Sequence, residues 1–384
     1  MREPAVAALL AALPRARLVG GAVRDQLAGR PVADLDLATP DEPAAVIATL
    51  HRAGIRVVPT GLAHGTVTAI SDGRPVEITT LRRDVDTDGR HATVAFTDDW
   101  HEDAARRDFT INAMSMTPEG EVEDWFGGRE DLAAGRVRFV GVAARRLAED
   151  YLRALRFFRF HARYGHGAPD AEAVSAISAA VPGLARLSAE RVWSELKRIL
   201  AAPDPGAAVS LMRATGVLVA LLPEAVDEGA LAGLIRAGAP ADPLLRLAAL
   251  APGAGGSLAA RLRLSGVEAA RLAAARGPMP DPGVDDAGLR RALADASREA
   301  LLDRAWLAEA RGGAGDWATL RARLSAMDAP AFPLAGADVV AEGVPPGPAV
   351  GAALAAVRAW WLAGGCEADR AAALARLREH LAGR

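Results

Sequence analysis

One stretch near the start constrains the fold more than any other: Leu18-Val19-Gly20-Gly21-Ala22-Val23-Arg24-Asp25, followed by Asp34-Leu35-Asp36-Leu37. It reads as a buried strand, a glycine turn opening a helix, and a second strand carrying two carboxylates. A glycine turn of this kind lets backbone N–H groups and the positive start of a helix converge on a phosphate. Successive side chains of a strand point to opposite faces, so the spacing predicts that Asp34 and Asp36 project from one face. At a rise of about 3.3 Å per residue they stand roughly 6–7 Å apart, close enough to share divalent ions. Leu35 and Leu37 take the opposite face, into the core. Each half alone has a plain reading, a tight turn or a solvated strand end. Together, separated by one short helix and one loop, they point to Mg²⁺-assisted nucleotidyl transfer by two-metal logic.

Other segments carry chemistry of the same kind. Arg106-Arg107-Asp108-Phe109-Thr110-Ile111-Asn112 sets two arginines before an apolar strand. That is either a surface patch or a site in which Arg107 pairs with triphosphate oxygens and Asp108 accepts from ribose hydroxyls. Asn112 reads as a residue that fixes backbone geometry. A long helix is expected from about Ala144 to Tyr164, with Leu152, Leu155, Phe158 and Ala162 at core spacing. On it Asp150 and Arg153 are three apart and share a face, either as an ion pair or as a base reader. A carboxylate accepts from an exocyclic amino group and a guanidinium donates to a ring nitrogen or carbonyl. Such a pair suits cytosine and adenine and refuses uracil and guanine. On a straight helix Arg159 lies about 180° around from Asp150 and serves phosphate or structure instead.

Composition bounds the rest. The 384 residues suffice for more than one compact unit, and the net charge of −3 argues against non-specific coating of nucleic acid. Cys366 is the only cysteine, which excludes an intrachain disulfide or a cysteine metal cluster and suits a reducing, cytoplasmic setting. No run approaches the ~18 apolar residues of a membrane span, and the N-terminus lacks the pattern of a secretory leader. No obligate protein partner is signalled.

The wording Gly20-Gly21-Ala22-Val23-Arg24-Asp25-x-Leu27-x-Gly29-Arg30-x-x-x-Asp34-x-Asp36 resembles the DNA polymerase β superfamily. Within it, the pattern resembles the bacterial-type (class II) CCA-adding tRNA nucleotidyltransferase and poly(A) polymerase family. Five ordered motifs carry the likeness across roughly residues 17–200. The resemblance implies an α+β nucleotidyltransferase head at 1–140, with a mixed sheet flanked by helices. An all-α neck at 141–200 and a helical body and tail at 201–384 would follow.

It further implies Asp34 and Asp36 as ligands of two Mg²⁺ ions, and Gly20, Gly21 and Arg24 near the triphosphate. Glu77, in Val76-Glu77-Ile78 on a predicted hairpin, reads either as a third catalytic carboxylate or as an exposed strand glutamate. Arg107, Asp108 and Asn112 match the ribose-recognition motif. Asp150 and Arg153 match the nucleobase-selecting motif, within which Arg156 and Arg159 correspond to nucleotide-contacting positions. Glu149, Arg191 and Arg90 are supporting residues. Residues 83–99, of mixed charge, read as a mobile loop that adjusts the site and favours addition of the terminal adenosine. Substrates would be CTP, ATP and the 3′ end of tRNA, the tRNA being recognised through shape and backbone. Poly(A) polymerase is the runner-up, disfavoured because Val58–Gly65 lacks that group's basic signature. An enzyme adding only A or only CC, and a silent RNA-binding protein, are further alternatives.

Overall fold

The computed structural model describes residues 4–32, 34–88, 91–253 and 256–383, and the chain forms two compact units, Met1–Pro223 and Glu224–Arg384. The first contains a seven-stranded mixed sheet of order β3-β4-β5-β2-β1-β8-β9. Its strands are β1 (Arg17–Val19), β2 (Asp36–Thr39), β3 (Arg56–Gly61), β4 (Thr66–Ser71), β5 (Arg74–Thr80), β8 (Ser115–Met116) and β9 (Val122–Glu123). One face packs beneath α1 (Pro4–Ala12) and α3 (Pro43–Arg52), where Leu9, Leu13, Val46 and Leu50 meet Leu18, Leu37, Val67 and Ile78. The only parallel pair of this sheet among the described residues, β2 with β5, sets Asp36 opposite Glu77 and Leu37 opposite Ile78. Strand alternation buries the apolar partners and leaves both carboxylates on the other side. Between β1 and β2, α2 (Gly21–Leu27) follows the glycine turn.

Three expectations change here. β2 begins at Asp36, so Asp34 lies in the bend before the strand and not on it. The segment read as a mobile loop forms a two-stranded antiparallel ladder, β6 (Arg82–Asp88) with β7 (His91–Phe96), whose register runs from Arg82↔Phe96 to Asp88↔His91. The Asp-Gly step in its sequence is a hairpin signal that its mixed charge had outweighed. The expected helix from 144 to 164 is two helices, α6 (Ala143–Glu149) and α7 (Leu152–Tyr164), broken at Asp150, which is extended (φ −156°, ψ 109°). The side chain of Asp150 caps the second helix at Leu152 N (3.0 Å), a local bond that competes with continuing the first helix.

Before these helices come α4 (Trp100–Ala105) and α5 (Gly128–Ala133). After them come α8 (Ala171–Ala180), a 3₁₀ segment at Val181–Arg186, α9 (Ala189–Leu200), α10 (Gly206–Ala214) and α11 (Val217–Leu221). α9 starts from Ser188, whose hydroxyl accepts from Arg191 N. The first compact unit therefore extends past the expected neck boundary at 200, because α10 and α11 pack with α7 and the 3₁₀ segment.

The second unit is helical throughout its described residues. Asp242, Asp285, Ser297, Asp316 and Asp369 each cap a helix N-terminus with a side-chain oxygen. One core cluster gathers Leu289, Leu301, Trp317, Leu320 and Leu324, and another gathers Val339, Ala353, Val357, Ala373 and Leu377.

Candidate active site

A cavity of about 520 Å³ lies over the sheet between β1, β2, β5 and the helices α7 and α9, with Asp150 at the break before α7 on its wall. Gly20, Gly21, Arg24, Asp36, Glu77, Arg107, Asp108, Asn112, Asp150, Arg153, Arg156 and Arg191 all line it. Asp34 and Arg159 line an adjoining cavity of about 440 Å³ that shares Gly21, Arg24, Asp36 and Phe160 with the first. Glu149 sits behind the wall as a partner of Arg153, and Arg90 lies outside the described residues.

At the turn, Gly20 has φ 61° and ψ −121°, a conformation open to glycine. A Cβ here would stand 2.8 Å from Arg107 Nη1, so the guanidinium closes directly over the turn. Arg107 is held from behind by Asp103, at 3.0 Å from Nη2, and Asp103 also takes Arg106 at 2.8 Å. Burial works against the Asp103 charge, yet the two guanidinia keep its carboxyl below the usual carboxylate range. The sequence did carry this signal: Asp103, on α4, precedes Arg106 and Arg107 at the end of that helix by three and four residues.

Asp36 is pushed up from the usual carboxylate range by burial and by the charges of Glu77 and Asp34, against the pull of Arg107. Among the described residues no three His, Cys, Asp or Glu side chains form a ready-made metal cage. A crowded carboxylate set without such a cage suits Mg²⁺, which keeps waters and takes one or two carboxylates plus substrate phosphates.

Asp108 is buried and pulled below its ordinary range. Burial opposes this, and Arg156, the Asn112 amide and the Phe109 N–H overcome it. Its Oδ1 accepts from Phe109 N (2.9 Å) and Asn112 Nδ2 (3.0 Å), and its Oδ2 from Arg156 Nε (2.6 Å) and Nη2 (2.5 Å). A carboxylate offers about four acceptor positions, so the protein already fills them. Asn112 does more than fix backbone: its Oδ1 accepts from Arg24 Nη1 at 2.5 Å, which links the turn to Asp108. Arg24 also packs over the rings of Phe160 and Tyr164, at 5.0 and 4.5 Å.

On the opposite wall Arg153 pairs with Glu149 and donates to Arg146 O at 2.9 Å, while Arg191 Nη2 donates to Asp150 Oδ2 at 2.7 Å. Arg146 ties this wall to the arginine block by donating to the carbonyls of Arg106 and Arg107. Arg159 pairs with the buried Glu195 at 3.1 Å, and burial lowers its guanidinium to about 10. Glu195 and Arg146 were not foreseen. Glu195 also takes Arg198 three residues on along its own helix, but its contact with Arg159 comes from another helix, which local spacing does not reveal.

Fold and site together define a polymerase-type nucleotidyltransferase head with helices completing its cavity. Residues 16–138 match the poly A polymerase head domain, and residues 168–228 match the domain described as "Probable RNA and SrmB- binding site of polymerase A". A human mitochondrial CCA tRNA nucleotidyltransferase 1 is 50% identical over 187 residues, 48% of this chain and 43% of that protein. The CCA-adding enzyme of Geobacillus stearothermophilus is 40% identical over 205 residues, 53% of this chain and 49% of that protein. The matched part thus spans about half the length of these relatives. The crystal structure of the Bacillus stearothermophilus CCA-adding enzyme in complex with CTP superposes with a TM-score of 0.80 at 28% identity, covering 100% of this chain and 99% of that one. Residues 16–138 and 168–228 thus carry the head and RNA-binding domains of the poly A polymerase family. No helix among the described residues is long and apolar enough to cross a membrane.

Proposed function

We propose that this protein is a CCA-adding tRNA nucleotidyltransferase, joining CTP and ATP to the tRNA 3′ end without a nucleic acid template and releasing pyrophosphate. One observation carries the reading. A single cavity brings together the Asp36–Glu77 carboxylates, the Gly20 turn under Arg107, and the Asp150 and Arg153 side chains, each with its own protein counter-charge. The relatives named above support it.

Asp34 and Asp36, with Glu77 opposite, would hold Mg²⁺. When bound, the ion supplies positive charge that eases deprotonation of the attacking 3′-hydroxyl and offsets charge on the leaving pyrophosphate. The Gly20-Gly21 turn, Arg24 and Arg107 bind the triphosphate. The 3′-oxygen of the RNA forms a bond to the α-phosphorus as the bond to pyrophosphate breaks. Asp150 accepts from the exocyclic amino group and Arg153 donates to the ring edge, which selects cytosine and adenine. Asp108 and Asn112 hold Arg156 and Arg24 in place around the sugar and phosphates. Arg159 acts behind Phe160, where it packs over the ring at 4.6 Å. The helical residues beyond 200 contact tRNA through its shape and backbone. The lone Cys366, buried, suits a reducing cytoplasmic setting.

The test incubates the protein and Mg²⁺ with tRNA transcripts ending before CCA, after C, or after CC, each with CTP, ATP, UTP or GTP. Addition that stops after CCA and ignores UTP and GTP is expected. Long adenosine tails on any primer would make it a poly(A) polymerase, and inactivity on every RNA would overturn the enzymatic reading.

A further inference from the structure

We propose that Tyr151 and Gly183 are a positioning pair for nucleobase selection: the ring of Tyr151, seated on the bare backbone of Gly183, holds open the helix break that aims Asp150. This rests on the base-reading role given to Asp150 above.

The Asp150 cap on Leu152 N is the local contribution to the break, and the sequence between Ala143 and Tyr164 has no glycine or proline to force it. Asp150 is extended and Tyr151 returns to helical geometry (φ −61°, ψ −18°), so the turn is confined to one residue. Its cost needs an offset from outside the helix. That offset lies across the 3₁₀ segment Val181–Arg186. A Cβ built on Gly183 would meet Tyr151 Cε1 at 2.1 Å, Cζ at 2.2 Å and Cδ1 at 2.5 Å. Gly183 has an ordinary φ, so its lack of a side chain serves this close approach and not a special backbone conformation.

Arg186, at the end of the same segment, sets its guanidinium 5.9 Å from the ring centroid. The chain then passes through Leu187 and Ser188 into α9, which delivers Arg191 to Asp150 Oδ2. One short stretch therefore grips both ends of the break, the ring at Tyr151 and the carboxylate at Asp150. With Oδ1 committed to Leu152 N and Oδ2 to Arg191, the direction of the remaining lone pairs follows from where that stretch stands. Tyr151 does not line the cavity, so it acts through Asp150 and not on the base.

Gly183→Ala would force the ring back by roughly 1.5 Å to reach ordinary carbon–carbon contact, and a displacement of even about 1 Å at a recognition group costs on the order of 10²-fold. The experiment measures kcat and KM for CTP and UTP on a tRNA lacking CCA, and for ATP and GTP on one ending in CC. The proteins are wild type, Gly183→Ala, Tyr151→Leu and Tyr151→Phe, each with a thermal midpoint. Gly183→Ala and Tyr151→Leu are expected to cut the CTP-over-UTP and ATP-over-GTP ratios by roughly 10- to 100-fold, mainly through KM of the correct nucleotide. Tyr151→Phe, which keeps the ring, is expected to retain the wild-type ratios. Tyr151→Leu relieves the crowding, so it provides the ratio should Gly183→Ala fail to fold. Ratios unchanged in the folded variants, or equal losses on right and wrong nucleotides, would overturn the inference. A wild type that adds nothing to any RNA would overturn the parent reading and this one with it.

Discussion

Asp108→Asn tests how the site is held. The substitution keeps the shape, removes the charge and turns one acceptor oxygen into an amino group. In the wild type each Asp108 oxygen takes two donors, Phe109 N and Asn112 Nδ2 on Oδ1, Arg156 Nε and Nη2 on Oδ2. An asparagine can satisfy only one of these two sets, and the amino group then faces the other. Removing one partner of a buried ion pair costs about 3–5 kcal/mol. The Arg156 side chain is 32% exposed, so water recovers part of its solvation. We take about 2–3 kcal/mol as the loss. At about 2–4 °C per kcal/mol for a unit of this size, the midpoint of the first compact unit falls by about 4–12 °C.

The pH dependence has a definite sign. Asp108 is lowered in the folded protein, so its charge stabilises above the ordinary aspartate value of about 3.9, and that stability is lost as pH falls through the folded value. The gap between wild type and variant should stay level from about pH 8 to 5 and begin to close only below ~4. Calorimetry of the full chain across that range reads both quantities. A midpoint within about 1 °C of wild type at neutral pH, or a gap that widens in acid, would refute the reasoning.

Asp36→Asn should fold and lose nucleotide incorporation by at least ~10²-fold, since a carboxylate that would hold the catalytic cation is removed. Mg²⁺ should raise the wild-type midpoint, by the equivalent of about 2.7 kcal/mol at a hundred times its dissociation constant, and leave this variant nearly unmoved. Equal shifts in a melting titration would separate Asp36 from the metal. Glu149→Gln frees Arg153 and weakens the hold on Arg146, whose Nη1 stands 2.8 Å from Glu149. Misincorporation of UTP and GTP, assayed on tRNA ending before CCA and after CC, should rise roughly tenfold.

The gathering of the glycine turn and Asp36 into one cavity was legible because both belong to short, strongly patterned elements. The hairpin of β4 and β5 was legible for the same reason, with alternating apolar residues around Ser71-Asp72-Gly73-Arg74. Asp34 fell off the strand because its alternation with Asp36 is equally compatible with a bend. The break at Asp150 was not foreseen because, beside the local cap on Leu152 N, the contacts across it come from Gly183 and Arg191, more than thirty residues away. Periodicity cannot register a partner at that separation. The same limit hid the Glu195–Arg159 pair, which joins two helices, whereas the Glu195–Arg198 pair follows local spacing.

Counting acceptor positions separates the carboxylates of the site where burial alone does not. Asp108 has all of its roughly four positions filled by protein donors. Asp150 has two taken, by Leu152 N and Arg191, which leaves one on each oxygen, enough for an amino group of a base. Asp36 accepts no hydrogen bond among the described residues, and its neighbours Glu77 and Asp34 repel it. Filled, half-filled and empty correspond to a scaffold, a reader and a ligand for cations. Amide substitution should therefore destabilise the free protein in the order Asp108, Asp150, Asp36, the last by nothing or with a small gain, because relieving like-charge repulsion is favourable. Urea midpoints of the three variants without Mg²⁺ give that order directly. If Asp36→Asn were the most destabilising, its carboxylate would be a structural acceptor and the cation role assigned to it would fail.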